Sequence, residues 1–203
     1  MLTQVDVAIF EDVSTQIHFT TVSNADEVFQ ISELQAANLA AALTPDTMAS
    51  QGFVTVRHEL DVLERMNHTA PSIIAKDADR VVGYALVMPR EFAPDVPILR
   101  PLFQMLDPLS WRGVLLRDQP RWFVMGQICI AEGYRGRGIF DGLYRAMAAE
   151  YRDRYDSTIT EVAARNTRSL RAHARAGFQP LHIYQDDTTG EEWHVIILDF
   201  TPS

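Results

Sequence analysis

Residues 135–138 read Arg-Gly-Arg-Gly, and an apolar-periodic stretch begins at Ile139. Two glycines just ahead of a helix let successive backbone N–H groups converge on one concavity without Cβ clashes. Those donors and the positive end of the helix dipole make an anion site. Arg135 and Arg137 add full positive charge. The chemistry on offer is phosphate binding, and the plain alternative is a tight turn. Two phosphate motifs fit badly: the Gly-Lys-Ser/Thr of a P-loop is absent, and the glycine after Gly138 is Gly142, one position late for Gly-x-Gly-x-x-Gly.

These residues need a strand before them and a helix after them. Trp122, Phe123, Val124, Ile128, Cys129 and Ile130 are types that suit a buried strand, and Gly126 inside the run marks a bulge or a close backbone approach. The spacing predicts a helix from Ile139 to about Tyr155, with Ile139, Leu143 and Met147 on one stripe. Asp141/Arg145 and Glu150/Arg154 form i,i+4 pairs outside. Thr158–Ala164 reads as the next strand. Strand, helix and strand in this length make a right-handed crossover with parallel neighbours. Thr167–Ala176 is a short helix ended by Gly177, and 181–184 and 193–200 are the last strands.

Upstream, residues 1–16 read as an arm or an extra strand at Val5–Phe10. Ile17–Val22 reads as the first strand, and Asn24 caps a helix with Glu27 as its capping-box partner. Val28, Ile31 and Leu34 face inward. Gln35 and Asn38 read as solvated helix residues or as pocket lining. Thr44-Pro45 ends this helix, residues 52–54 are a short extended piece, and 59–66 form a second helix. Residues 72–75 and 80–88, with Tyr84 in the second run, form a hairpin about Lys76–Asp79. Residues 89–120 hold six prolines, a helical turn or two near 98–106, and several large apolar residues. They read as a lid or wall beside a substrate site, or as a dimer contact.

The order strand, Arg-Gly-Arg-Gly, helix resembles the Gln/Arg-x-x-Gly-x-Gly/Ala motif of the GNAT superfamily of acyl-CoA-dependent N-acetyltransferases. Arg135 and Gly138 match, and Phe140 stands where a small residue is expected. Residues 166–178 resemble the family's Asn-x6-Tyr-x3-Gly-Phe segment, with Asn166, Gly177 and Phe178 matching and His173 in the tyrosine slot. The resemblance covers about 17–200 and is specific over 128–178. It implies an α/β (α+β mixed sheet) fold of about seven mostly antiparallel strands, flanked by helices, in one domain spanning 1–203. One parallel pair splays around the pantetheine arm, and Gly126 is the candidate bulge.

Acetyl-CoA is the implied cofactor, held by Ile128, Cys129 and Ile130 on the strand, by Arg135, Gly136, Arg137, Gly138, Ile139 and Phe140 at the loop, and by Asn166 and His173. Asn166 is equally suited to capping its helix. Direct attack by a primary amine, on a small molecule or a peptide, needs an oxyanion donor, a base and an acid. Backbone N–H groups of 128–130 are the oxyanion donors. Glu161, mid-strand beside the cleft, is the base, directly or through water, with Gln127 and Tyr84 as orienting groups. His173 is the acid or packs against the cofactor. Arg168, Arg171 and Arg175 share a helix face and either reach a phosphate or stay solvated. Cys129 reads as an inert buried thiol. An acyl-CoA-binding module without turnover is the alternative function.

The chain of 203 residues has net charge −9, one cysteine and no run of about 18 apolar residues. One cysteine fits a reducing cytoplasm, no membrane partner or metal is expected, and the acidic Asp6, Glu11 and Asp12 do not read as a secretory signal; taken with the resemblance, the reading is a cytoplasmic, bacterial protein. Residues 121–180 hold ten arginines against six acidic groups, a net of +4, and the remainder is at −13. Positive charge therefore gathers at the proposed phosphate site. The acidic remainder disfavours nucleic acid, and it attracts a cationic acceptor or simply keeps the protein soluble. A homodimer is consistent with the family's habit.

Overall fold

The computed structural model describes residues 16–39, 54, 56–96 and 100–200. All but the last residue of the expected arm at 1–16, the helix end at Thr44-Pro45 and residues 52–53 lie outside these. Seven strands form one sheet in the order β1-β2-β3-β6-β7-β9-β8. They are β1 (His18–Thr21), β2 (Ile73–Asp77), β3 (Arg80–Met88), β6 (Trp122–Ile130), β7 (Ser157–Ala163), β8 (Gln179–Gln185) and β9 (Glu192–Asp199). Every neighbouring pair is antiparallel except β6 and β7. A two-residue pair, β4 (Ser110–Trp111) and β5 (Val114–Leu115), stands apart, turned by Arg112 and Gly113 at φ 53° and 80°.

Among the described residues the α-helices are α1 (Ala25–Asn38), α2 (Leu60–Thr69), α3 (Arg100–Leu106), α4 (Ile139–Tyr151) and α5 (Thr167–Arg175). Asn24 caps α1 by accepting from the Glu27 N–H at 3.0 Å. The Glu27 carboxylate reaches back to the Ser23 N–H at 2.7 Å, one residue earlier than a capping box requires. It also meets Lys76, the one lysine of the chain, at 2.7 Å. On one face of the sheet α1 and α2 bury Ile31, Leu63 and Met66 against Tyr84, Leu86 and Met88. On the other, α4 buries Ile139, Leu143 and Met147 against Ile73, Ala85 and Phe123.

The proline-rich segment 89–120 folds onto the α1/α2 face, where Phe92, Leu102, Phe103, Leu106 and Leu116 join the core. Trp122 Nε1 donates to Leu116 O at 2.9 Å, and the Arg90 guanidinium lies 4.7 Å from the Trp122 ring. Trp111 Nε1 and Arg112 both meet the Asp199 carboxylate, at 3.2 and 2.9 Å.

The parallel pairing of β6 with β7 is short: Trp122, Phe123 and Val124 pair with Ser157, Thr158 and Ile159, and there it stops. Against β3 the register of β6 shifts, so that Gly126 and Gln127 together oppose Leu86 alone. This is the bulge expected at Gly126. It bends β6 away from β7 and opens a gap between them.

Candidate active site

The gap is lined at its upper edge by the glycine-arginine loop. Gly136 and Gly138 have φ of 78° and 75°, in the left-handed region. An ideal Cβ at either would meet nothing within 4 Å. Backbone conformation therefore demands glycine, and the space beside the loop stays open. Gly138 is the N-cap of α4, so the N–H groups of the first helical turn face outward without intrahelical partners. A cavity of about 540 Å3 lies against this loop, between β6 and α5. Arg135, Arg168, Arg171 and Arg175 line it, and such a concavity suits a phosphate-bearing ligand.

Ile128, Cys129, Ile130, Arg135, Gly136, Gly138, Ile139, Phe140 and Asn166 also line this cavity. Arg137 instead lies 5.2 Å from the ring of Tyr134. The Ala131 N–H donates to Val82 O at 2.8 Å, toward β3. By strand alternation Ile128 and Ile130 turn their N–H and C=O groups the other way, into the gap. Arg135 agrees with this: its Nε donates to Ile130 O at 3.0 Å, and its other arm meets Asn38 Oδ1 at 2.5 Å.

Asn166 is the N-cap of α5, its Oδ1 accepting from the Ser169 N–H at 3.3 Å. Asp141 meets Arg175 on α5 at 3.2 Å, where an in-helix pairing with Arg145 was expected. The cross-helix ion pair holds α4 and α5 side by side at the cavity's rim.

His173 is 1 % exposed. Its Nε2 shares a hydrogen bond of 2.8 Å with Tyr144 Oη, and its Nδ1 one of 2.8 Å with Ser169 O, which fixes Nδ1 as the protonated nitrogen. The ring meets Phe140, Tyr144 and Phe178 edge-on at 5.0, 5.6 and 4.9 Å. Burial lowers its pKa to about 4. Phe140 and His173, the two departures from the motifs, thus touch each other. A large residue fills the small-residue position, and a smaller ring occupies the tyrosine position.

A second void of about 80 Å3 opens further into the split, between β6 and β7. Glu161, Gln127 and Trp193 line it, with His173 at its back. Glu161 accepts from Tyr184 Oη at 2.7 Å. Burial raises its pKa, the Tyr184 hydrogen bond opposes this, and Asp186 adds a repulsive push. Gln127 is held at both ends, by Tyr84 Oη and by Val56 O. Cys129, 7 % exposed, has its thiol pushed up to about 12 by burial, so it stays protonated.

α1 contributes more to the site than its polar residues suggest. Gln35 and Asn38 are buried, and Asn38 lines the large cavity. Gln35 Oε1 accepts from the His58 N–H at 3.2 Å, while Gln35 Nε2 and both ring nitrogens of buried His58 have no partner among the described residues. Burial lowers the His58 pKa to about 4. Val54, Tyr184 and Trp193 were not singled out as site residues. The alternation along β9, which pairs with both β7 and β8, was the signal available for Trp193. None of the described residues of 89–120 lines either cavity. Among the described residues no helix is long and apolar enough to cross a membrane, and no three His, Cys, Asp or Glu side chains gather as metal ligands would.

A mixed seven-stranded sheet, split beyond one parallel pair and carrying a phosphate-type loop at the split, defines a GNAT-like fold. The chain belongs to the acetyltransferase (GNAT) family, whose profile it matches over residues 38–178, and it is an N-acetyltransferase of that family. In fold it is similar to the NatC complex bound to Gag peptide and CoA, at 16 % identity and TM-score 0.62, covering 92 % of this chain and 99 % of that one. Arabidopsis thaliana NAA60 in complex with acetyl-CoA has 12 % identity and TM-score 0.60, with 91 % and 99 % covered. The yncA protein of Salmonella typhimurium with its cofactor acetyl-CoA has 14 % identity and TM-score 0.59, with 92 % and 95 % covered. No curated protein matches the sequence significantly.

Proposed function

We propose that the protein moves an acetyl group from acetyl-CoA to a primary amine, on a small molecule or a peptide, by direct attack in a ternary complex. The observation that carries this is the glycine-arginine loop opening onto a 540 Å3 cavity that runs along the unpaired half of β6. The pyrophosphate fits the loop, where Gly136 and Gly138 leave room, and Arg168 and Arg171 supply charge for the remaining phosphate. The pantetheine amides fit the N–H and C=O groups of Ile128 and the N–H of Ile130, while Ile130 O already accepts from Arg135.

The acceptor amine enters the smaller void. Glu161, held ionisable by its surroundings and steered by Tyr184, takes the amine proton directly or through one water. The amine nitrogen bonds to the acetyl carbon, the carbonyl oxygen takes negative charge beside the β6 N–H groups, and the C–S bond then breaks. His173 acts by packing: both its nitrogens are engaged, and it is neutral near pH 7. An alkyl thiol of pKa near 8.5 leaves as thiolate without a strong acid.

The test is thiol release from acetyl-CoA, measured against polyamines, amino acids, aminoglycosides and short peptides. Release with one amine class is expected. No release across the panel, repeated with propionyl- and succinyl-CoA, would overturn this substrate reading.

A further inference from the structure

At the end of α1, the buried Asn38 has three polar atoms committed to different parts of the fold. Nδ2 donates to Leu34 O at 2.8 Å within the helix. Oδ1 accepts from the Arg135 guanidinium at 2.5 Å, across 97 residues of chain. Its carbonyl accepts from the Val54 N–H at 3.0 Å, and Val54 borders both cavities. Arg135 holds Ile130 O at 3.0 Å with its Nε. One guanidinium therefore joins the end of α1, the end of β6 and the first residue of the glycine loop. A guanidinium is planar, so two hydrogen bonds through Nε and one terminal nitrogen fix its plane.

We propose that Arg135 braces the phosphate loop from within and does not grip the phosphate, and that Asn38 is the positioning residue that keeps it in that role. The inference rests on reading the large cavity as the CoA site. Phosphate binding then falls to the backbone N–H groups of the loop, whose left-handed glycines need a fixed entry point to converge. The same asparagine anchors Val54, so the loop that receives the cofactor and the wall of the acceptor void share one fixed point.

A brace and a direct phosphate ligand respond to substitution of Asn38 in opposite ways. Removing the Oδ1 acceptor with Asn38→Ala loosens a brace and weakens CoA binding. It would release a direct ligand toward the phosphate and leave binding equal or tighter. Asn38→Asp keeps the acceptor facing Arg135 and adds charge, giving up the Leu34 hydrogen bond as Asn38→Ala also does; it preserves a brace but would hold a direct ligand away from phosphate.

The experiment is calorimetric titration of CoA into the full chain, as wild type, Asn38→Ala and Asn38→Asp, with the fold of each checked by circular dichroism. Expected are a loss of roughly tenfold for Asn38→Ala and a value within about threefold of wild type for Asn38→Asp, tenfold being about 1.4 kcal/mol. In an Arg135→Gln background Asn38→Ala should have little further effect, because the two act as one unit. Unchanged or tighter binding by Asn38→Ala overturns the proposal, as does Asn38→Asp binding more weakly than Asn38→Ala. If the Ala variant does not fold, Asn38→Asp is read against wild type: a value within about threefold supports the brace, and a loss of about tenfold or more overturns it. A wild-type protein that binds no CoA overturns the cofactor reading itself, an outcome distinct from equal binding by wild type and Asn38→Ala.

Discussion

Acidification should unfold this protein through two buried histidines. His58 and His173 are 4 % and 1 % exposed, and each has a folded pKa of about 4 against an ordinary 6.5. The unfolded chain therefore binds their protons more readily than the folded one, and stability present above pH 6.5 is lost as pH falls toward 4. Integrating proton uptake from pH 7 to pH 5 gives about 2 kcal/mol per histidine, or about 4 kcal/mol for the pair. Glu161 works in the other direction: its folded pKa is raised, so protonation in the low-pH range favours the folded state. The assay is urea denaturation at pH 7, 6 and 5, followed by tryptophan fluorescence. His58→Phe and His173→Phe, neutral at every pH, should each halve the pH-dependent loss whatever they do to stability at pH 7. Equal stability of the wild type at pH 7 and pH 5 would refute the reasoning, and so would a full loss retained by His173→Phe.

Four further outcomes follow from the geometry. Glu161→Gln should cut turnover by tenfold or more with little change in melting temperature, and Tyr184→Phe should move the acid limb of the pH–rate profile upward, because it removes the hydrogen bond that lowers the Glu161 pKa. Gly142→Ala should destabilise by about 1–3 kcal/mol in denaturant melts despite alanine's better helix propensity, since its Cβ would sit 2.1 Å from Phe19 Cζ; Phe19→Leu should recover part of the loss. Phe140→Ala and His173→Tyr should each destabilise, while the double variant should recover at least about 0.5 kcal/mol relative to their sum, measured by a double-mutant cycle in urea.

The strands and helices around the glycine-arginine loop were legible because their signals are local: apolar periodicity in α4, β-branched runs in β6 and β7, a cap at Asn24 and a glycine at Gly177. The hairpin about Lys76–Asp79 was legible for the same reason, falling between two apolar runs, although β2 runs on through Lys76 and Asp77. What escaped depends on partners distant in the chain. A polar residue on a helix reads as solvated, so Asn38 could be recognised as buried only by knowing that Arg135 comes to it. Asp141 had a suitable cation four residues on, yet the one it meets is thirty-four residues on. His173 held a tyrosine's position in the motif, but its role depends on Tyr144 and Ser169 occupying both nitrogens. The small turn at Arg112 escaped because the strands that it joins are only two residues each, too short to show an alternating pattern.

The short pairing of β6 with β7 makes the substrate cleft a lever. Six residues of β6, Met125 to Ile130, extend past the last pair, an arm of about 20 Å at 3.3 Å per residue. A rotation of about 5° of β6 against β7 at Val124, made together with the β3 strand to which β6 stays paired, would carry the far end through about 1.7 Å, several times the roughly 0.5 Å to which reacting groups must be held. Trp111 and Arg112 on Asp199, with Leu116 and Arg90 on Trp122, grip the region where that rotation would begin. The described residues of the proline-rich segment, none of which lines either cavity, thus serve as the fulcrum's bearing, and a slackened contact there would be magnified at the cleft.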